Sequence, residues 1–180
     1  MRRLFVLAAG LVAVLALLPV NAAADSAAHT YLLVMDAPNF GVAANGDRIS
    51  ITGEGEFGVH PNSVMAEGRF THTTSSGSVL FTGDWEATEL LDYQSYGCGE
   101  ILGDPFPPDF CGGAVKMTVT LTPDGTSLEL PGIMTVICVI GPNPPNSIFG
   151  PRTEGVTLNV PGMINFNHSD GGENIFIQTS

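Results

Sequence analysis

The sequence is poor in basic residues, and this shortage argues against two classes of partner. Six of its 180 residues are Lys or Arg against 18 Asp or Glu, which gives a formal net charge of −12 at pH 7. Such an acidic chain offers little positive surface to nucleic acid or to an anionic membrane. We therefore expect neither as a partner.

The sequence also lacks the short motifs that hold metal ions or activate nucleophiles. Its three cysteines include no closely spaced pair and its four histidines stand apart, which argues against a cysteine–histidine metal site. It contains no G-x-S-x-G, no H-E-x-x-H and no phosphate-binding glycine loop. Because these motifs are absent, the sequence predicts no cofactor at sites of these kinds.

Long apolar runs are absent except at the N-terminus. Leu4–Leu18 follows Arg2 and Arg3 and precedes the small residues Ala22–Ala24, which is the pattern of a secretory signal peptide. As a helix this run spans roughly 22 Å, short of the ~30 Å hydrocarbon core of a bilayer. The sequence predicts a signal peptide over 1–24 with cleavage near Ala24. The single domain over 25–180 would be extracellular or periplasmic and not integral to a membrane.

Residues that favour β-strands and turns are abundant: Val, Thr, Ile and Phe recur, with 22 Gly and 13 Pro between them. Apolar and polar residues alternate with a period of two over 49–59, 63–73 and 78–90, which indicates three successive half-buried strands. Further strands are predicted at Thr30–Asp36, Ala114–Thr122, Ser127–Leu130, Ile133–Ile140, Gly155–Val160, Gly162–Asn167 and Asn174–Thr179.

Short strands at regular spacing predict an all-β fold. We expect an antiparallel meander of about eight strands that closes as a small barrel, with a two-layer β-sandwich as the alternative. This arrangement is similar to that of small eight-stranded ligand-binding and cyclase-type barrels, a resemblance of architecture that implies no particular activity.

The turns between the three central strands predict their register. Four-residue loops at 60–63 and 74–77 would pair residue 59 with 64 and residue 73 with 78. Gly55, Gly68 and Gly83 would then form one inward row. That row would be flanked by four aromatic residues, Phe57, Phe70, Phe81 and Trp85. A glycine row lets a sheet curve over a packed interior, or leaves room for a small apolar ligand.

The same register predicts a row of carboxylates on the outward face. Glu56, Glu67 and Asp84 would lie side by side, next to a Glu54–Arg69 pair. Oxygen-rich clusters of this kind suit Ca²⁺, so a calcium site is one interpretation. The other is a solvated acidic face on a chain that is acidic throughout.

His72 is the histidine with a possible chemical role, because the alternation places it on the inward face near a strand end. Together with a rim carboxylate such as Glu89 it would supply an acid and a base at the barrel mouth. The alternative is a histidine that packs at the edge of the core.

Two cysteines bracket the long loop Gly97–Gly113, and in an exported protein Cys98 and Cys111 are predicted to form a disulfide. Cys138 would then be a buried thiol, although its pairing with either of the other two is an open alternative. Tyr31–Met35 and Ile133–Ile140 are apolar on both faces. Their outer faces would be covered by the long loop or by a second copy in a homodimer.

Three functions follow from these patterns. The first is an exported, non-enzymatic β-domain that binds a small apolar ligand inside the barrel or a protein partner through the 97–113 loop. The second is an isomerase, cyclase or hydrolase that acts at the barrel mouth through His72 and Glu89. The third is a structural surface protein that holds Ca²⁺ on its acidic face.

Overall fold

The computed structural model describes residues 27–145 and 153–180. The predicted signal peptide over 1–24 lies outside the described residues, so the model does not test it. Within the two described ranges all regular elements are strands: β1 His29–Val42, β2 Arg48–Val59, β3 Ser63–Thr73, β4 Val79–Cys98, β5 Glu100–Ile101, β6 Asp104–Pro105, β7 Phe110–Pro123, β8 Leu130–Cys138, β9 Gly155–Val160, β10 Ile164–Phe166, β11 His168–Ser169 and β12 Ile175–Gln178. These ranges include no helix long and apolar enough to cross a bilayer.

The strands form one large antiparallel sheet that closes partly into a ring, which confirms the all-β prediction. The ring joins β1, β2, β3, β4, β7 and β12 in sequence, because β12 pairs with both β7 and β1. On the edge of β7 that β12 occupies at Phe110 and Cys111, β8 pairs from Gly113 onward, and the sheet continues from it through β9 and β10. The two-residue strand β11 pairs with the C-terminal end of β1 at Gly41 and Val42. Except for β12, successive long strands are neighbours, as in the predicted meander.

The predicted register of the central hairpins is wrong by two residues. Gly53 pairs with Gly68, and Gly68 pairs with Trp85, so Gly55, Gly68 and Gly83 do not form a row. The first loop lies one residue earlier than predicted, since Gly58 already pairs with Ser63. The second turn spans 74–78 and is followed by a bulge in β4, which moves that strand by one further residue.

Two predicted strand boundaries are also wrong. The first strand does not end at Asp36, because a bulge between Met35 and Asn39 accommodates Pro38 and β1 continues to Val42. Ser127–Leu130 is no separate strand: only Leu130 is extended, as the first residue of β8, which runs through Pro131. Here β8 pairs only with β7, since its pairing with β9 starts at Ile133. An edge position of this kind tolerates a proline, which donates no hydrogen bond.

The middle of the barrel is filled by aromatic side chains that lie over bare backbone. The Trp85 indole is 1% exposed and donates from Nε1 to the Thr52 carbonyl at 2.9 Å. A Cβ built on Gly53 would overlap this indole, and one on Gly83 would lie 2.7 Å from the Phe70 ring. The glycines therefore admit aromatic rings to a packed interior, as one interpretation of the sequence proposed, although in a different register.

The two ends of the barrel differ. At the disulfide end, Cys98 and Cys111 are bonded, which confirms the predicted pairing. The rings of Tyr31, Phe57, Tyr93 and Phe176 fill the interior nearby, with centroids 4.9–6.0 Å apart. At the opposite end, which we call the cavity end, the turns at 43–47, 74–78, 124–129 and 161–163 come together around an opening.

The strands that are apolar on both faces are covered in different ways. In β8, Ile137 and Cys138 are buried. In β1, the outward-facing Leu32 and Val34 are half-buried and line a shallow outer groove with Met65 and several glutamates. Instead of covering this groove, the 97–113 loop folds into β5 and β6 at the disulfide end, with Ile101 and Phe106 against the core.

Candidate functional site

The cavity end holds a mostly apolar cavity of about 330 Å³, which we call the end cavity. Its inner wall consists of six buried side chains from five strands, Ile49, Phe70, Leu121, Leu158, Val160 and Phe166. Its rim carries three large side chains that remain open to solvent, Phe81 at 50%, Leu128 at 56% and Met163 at 63% exposure. Apolar side chains therefore line the cavity all the way from its inner wall to its entrance.

Three polar side chains interrupt this apolar wall: Asn45, Asp47 and His72. Asn45 and Asp47 belong to the turn that joins β1 to β2, which is closed by hydrogen bonds from Ala43 N–H to the Asp47 carbonyl and from Gly46 N–H to the Ala43 carbonyl. The Asn45 Oδ1 atom accepts from the Asp47 N–H at 3.1 Å. The sequence Asn45-Gly46-Asp47 thus favours this turn, and the turn places the side chains of Asn45 and Asp47 at the cavity.

His72 faces the same cavity from β3, where its strand partners are Ile49 and Phe81. Its Nε2 atom lies 3.1 Å from Oδ2 of Asp47, and the two side chains are only 13% and 14% exposed. The second carboxylate oxygen, Oδ1, accepts from the Ser75 backbone N–H at 3.1 Å. Asp47 therefore ties His72 to two turns, and the Phe166 ring stands edge-on to the imidazole at 5.1 Å.

The hydrogen bond from His72 lowers the pKa of Asp47 below its usual value, with further contributions from Asn45 and the Ser75 N–H. Asp47 is thus a carboxylate at neutral pH and can only accept hydrogen bonds. The proton between the two side chains must then reside on Nε2 of His72, and in the neutral imidazole Nδ1 carries the lone pair.

Nδ1 of His72 is left without a protein partner. The described residues contain no hydrogen bond to this atom. In those residues the fully buried side-chain N and O atoms without a partner are Oδ1 of Asn39 and Oδ1 of Asn174, so Nδ1 of His72 is not fully buried. Nδ1 is therefore accessible from the cavity or from solvent. The site combines one accessible imidazole nitrogen, one carboxylate behind it and an apolar wall.

The predicted pocket residues are divided between this cavity and the core. Phe70 and Phe81 line the end cavity, whereas Phe57 and Trp85 are each 1% exposed and belong to the packed interior. Gly55, Gly68 and Gly83 do not line it either: each lies where an added Cβ would overlap neighbouring atoms. The end cavity thus lies beyond the packed middle of the barrel, and Phe57 and Trp85 do not line it.

The structure does not bring Glu89 to His72. Glu89 is exposed on β4 opposite Thr118, eight residues from Phe81, a separation of roughly 25 Å at 3.3 Å per residue. Asp47, which the sequence analysis did not single out, takes its place. An Asn-Gly-Asp turn was visible in the sequence, but the strand predicted to end at Asp36 did not reach it.

The three predicted calcium ligands do not form the expected row. Glu56 pairs with Met65, Glu67 lies between Glu54 and Glu86, and Asp84 pairs with Arg69. In the described residues no group of three or more His, Cys, Asp or Glu side chains is arranged to hold a metal ion. The two-residue change in register thus replaces the predicted row with Glu54, Glu67 and Glu86, which stand side by side across β2, β3 and β4.

Arg69 is paired with aspartates and not with Glu54. Its guanidinium donates to Asp84 at 2.8 Å and to both oxygens of Asp124 at 3.0 and 2.6 Å. The Arg69 bonds, with one from Thr82, hold the pKa of Asp124 below its usual value. This exposed cluster joins β3 and β4 to the turn after β7, outside the barrel.

Cys138 is a buried free thiol, as predicted. It is 0% exposed, and Sγ lies 2.9 Å from the Asn174 carbonyl, to which it donates. Burial raises the pKa of Cys138 to about 12, so the thiol stays protonated and unreactive at neutral pH.

Comparisons of this chain with protein-family models, with curated proteins and with solved structures each returned no match. Function therefore has to be argued from the site itself.

Proposed function

We propose that this protein is an exported β-domain that binds a small apolar molecule in the end cavity. The observation that carries the proposal is the contrast in lining between the two open ends of the barrel. Trp85 and four other aromatic rings fill the middle of the barrel. The opening of about 370 Å³ at the disulfide end has His29, His60, Ser95 and Gln178 in its lining, whereas the cavity of about 330 Å³ at the cavity end is lined mostly by apolar side chains. That volume is at the lower end of the range of ligand pockets, roughly 300–1,000 Å³.

The lining selects for an apolar ligand with one polar group. Buried aliphatic and aromatic side chains provide the contact area, while Asn45 and His72 supply hydrogen-bonding atoms on one side. Phe81, Leu128 and Met163 remain exposed although they are large and apolar, and all three surround the entrance. Clusters of exposed apolar residues commonly mark binding sites.

Export is supported by the predicted signal peptide over 1–24 and by the Cys98–Cys111 bond, which is compatible with an oxidising extracellular compartment. A carrier or receptor for an apolar small molecule outside the cell is consistent with both features. The acidic surface would keep such a protein soluble.

Binding can be tested with the neutral dye N-phenyl-1-naphthylamine, whose fluorescence rises in an apolar environment. We expect saturable binding at one site in the wild-type protein. Ile164→Trp, at a half-buried wall position of the end cavity, should weaken it at least tenfold by filling the space. Val59→Trp is the matched control, since Val59 is also half-buried but lies at the disulfide end.

A second variant tests the entrance without disturbing the core. Leu128→Asp introduces a charge at a rim position that is 56% exposed, so it should weaken dye binding while the unfolding transition stays unchanged. Equal binding by wild type, Ile164→Trp and Leu128→Asp would refute the proposed site. Native mass spectrometry of the purified protein would then reveal any small molecule that co-purifies.

A further inference from the structure

The end cavity also holds a histidine arranged as a base. We propose that His72 is a general base that moves a proton on the molecule bound there, so that the protein is an isomerase of apolar carbonyl compounds. This inference rests on the proposed binding function and adds a reaction to it. It depends on three features of the cavity: the hydrogen bond behind the imidazole, its accessible nitrogen and a nearby amide donor.

The first feature is the carboxylate behind the imidazole. Asp47 binds Nε2 of His72 at 3.1 Å, and its other oxygen is held by the Ser75 N–H. A carboxylate in this position fixes one tautomer of the ring and stabilises the imidazolium that forms when the ring takes a proton. Asp47 is thus a positioning residue, and the atom that would meet the substrate is Nδ1 of His72.

The second feature is the environment of that atom. Nδ1 has no protein partner in the described residues, and His72 is only 13% exposed at a wall of aliphatic and aromatic side chains. An apolar molecule bound in the end cavity would exclude water from this nitrogen and bring a C–H group to it.

The third feature is a donor for developing negative charge. Asn45 lines the same cavity and its Oδ1 is occupied by the Asp47 N–H, so the amide Nδ2 is its free donor group. When a proton leaves the carbon next to a carbonyl group, charge develops on the carbonyl oxygen. A positioned amide donor stabilises that charge.

These roles define a balanced reaction. Nδ1 of His72 takes a proton from the carbon between a carbonyl group and an isolated double bond, and the C–H electron pair moves into a dienolate. The imidazolium returns the same proton to the far carbon of that double bond, and the electrons restore the carbonyl. The product is the conjugated isomer, and no oxidant, reductant or cofactor is required.

The base can be tested with 5-nitrobenzisoxazole, a small apolar probe that reports proton abstraction directly. A base removes the proton on its ring carbon, the electron pair forms a nitrile, and the N–O bond breaks to release a coloured phenolate. A positioned general base contributes about 10²–10⁴-fold to such a step. We expect turnover by the wild-type protein at least about 100-fold faster than by His72→Gln.

Two control variants exclude adventitious catalysis. His168→Gln removes an exposed histidine that does not line the cavity, and Lys116→Gln removes the only lysine of the chain, which is also exposed. Both should turn over the probe at the wild-type rate. Asp47→Asn should lower the rate at least about tenfold, because the neutral amide replaces the charged carboxylate that holds His72 protonated at Nε2.

The tautomer can be measured without any variant. In the ¹⁵N-labelled wild-type protein, histidine nitrogen shifts at neutral to mildly alkaline pH should show His72 protonated at Nε2 and not at Nδ1. In Asp47→Asn this preference should be lost, which a merely structural role of Asp47 in the turn would not predict. Protonation at Nδ1 in the wild type would overturn the proposal.

The remaining outcomes separate this inference from the binding function. If the naphthylamine dye binds but wild type and His72→Gln turn over the benzisoxazole equally, His72 is not a base and the binding function stands. If neither probe binds in the end cavity, both proposals fail. If His72→Gln does not fold, the Asp47→Asn rate and the wild-type tautomer decide.

Discussion

Glu154, just before β9, carries a partly buried carboxylate whose titration should make the stability of the protein depend on pH between about 4.5 and 7. Its Oε1 accepts from the Asn174 N–H at 2.7 Å, yet burial raises the pKa of Glu154 to about 7, with the charge of Glu173 acting in the same direction. Between pH 4.5 and about 7 the folded protein holds a proton that the unfolded chain has released. Stability contributed by Glu154 is therefore fully present below pH 4.5 and is lost as the pH rises to about 7.

The magnitude follows from the size of the shift. Moving the pKa from 4.5 to about 7 corresponds to roughly 3 kcal/mol, at about 1.4 kcal/mol per pKa unit. Since the side chain is only partly buried, screening by solvent should reduce this to about 2 kcal/mol. Glu154→Gln removes the titration while an amide oxygen can still accept from Asn174. Relative to wild type, this variant should gain about 2 kcal/mol in free energy of unfolding from pH 4.5 to pH 8.

The assay is urea unfolding followed by the fluorescence of Trp85, the only tryptophan, which is buried in the fold. Wild type and Glu154→Gln are compared at pH 4.5, 6 and 8, so that all other titrating groups cancel in the difference. Glu129→Gln, at an exposed loop position, serves as the matched control for the loss of one negative charge. A difference between wild type and Glu154→Gln that stays constant across this range would refute the reasoning.

Three further predictions concern the strands and the loop. Gly53→Ala should lower the free energy of unfolding by about 1–3 kcal/mol in the same assay, because the added methyl overlaps the Trp85 indole. Glu67→Lys should raise it by about 0.2–1 kcal/mol per relieved contact at low salt, since Glu67 lies between two other glutamates on neighbouring strands. Replacing Cys98 and Cys111 by alanine should cost roughly 3 kcal/mol, the value for a loop of this size, without changing dye binding at the opposite end.

A specific result would contradict each of these three predictions. An unaltered transition midpoint in Gly53→Ala would mean that the Trp85 ring does not lie over this glycine. A stabilisation by Glu67→Lys that persists in 1 M salt would show that charge repulsion is not its cause. Loss of dye binding in the double alanine variant would place the ligand near the disulfide.

The fold class and the disulfide were predictable from the sequence because both depend on local signals. Alternation with a period of two identifies strands wherever one face is buried, and the proximity of Cys98 and Cys111 follows once they bracket a loop between neighbouring strands. The inward position of His72 was predictable for the same reason. Neither the fold class nor the face on which His72 lies depends on which residue stands opposite which.

Register depends on more than the pattern. Displacing a strand by two residues keeps each side chain on its own face, so the alternation of β2 and β3 permits the predicted and the observed pairing equally. What differs is the fit of the aromatic rings: in the observed register Trp85 crosses Gly68 and reaches the Thr52 carbonyl. That choice is made by packing between strands and by a bulge after the 74–78 turn.

The sequence by itself determined that this chain is a meander of half-buried antiparallel strands with one cross-linked loop. Both the strand period and the positions of the two cysteines are local features of the sequence. The tertiary structure alone decided where the interior stays open and which carboxylate stands behind His72. Asp47 and His72 are 25 residues apart. They meet because β1 extends past Pro38 and the 43–47 turn then closes against β3, a contact set by strand length and register.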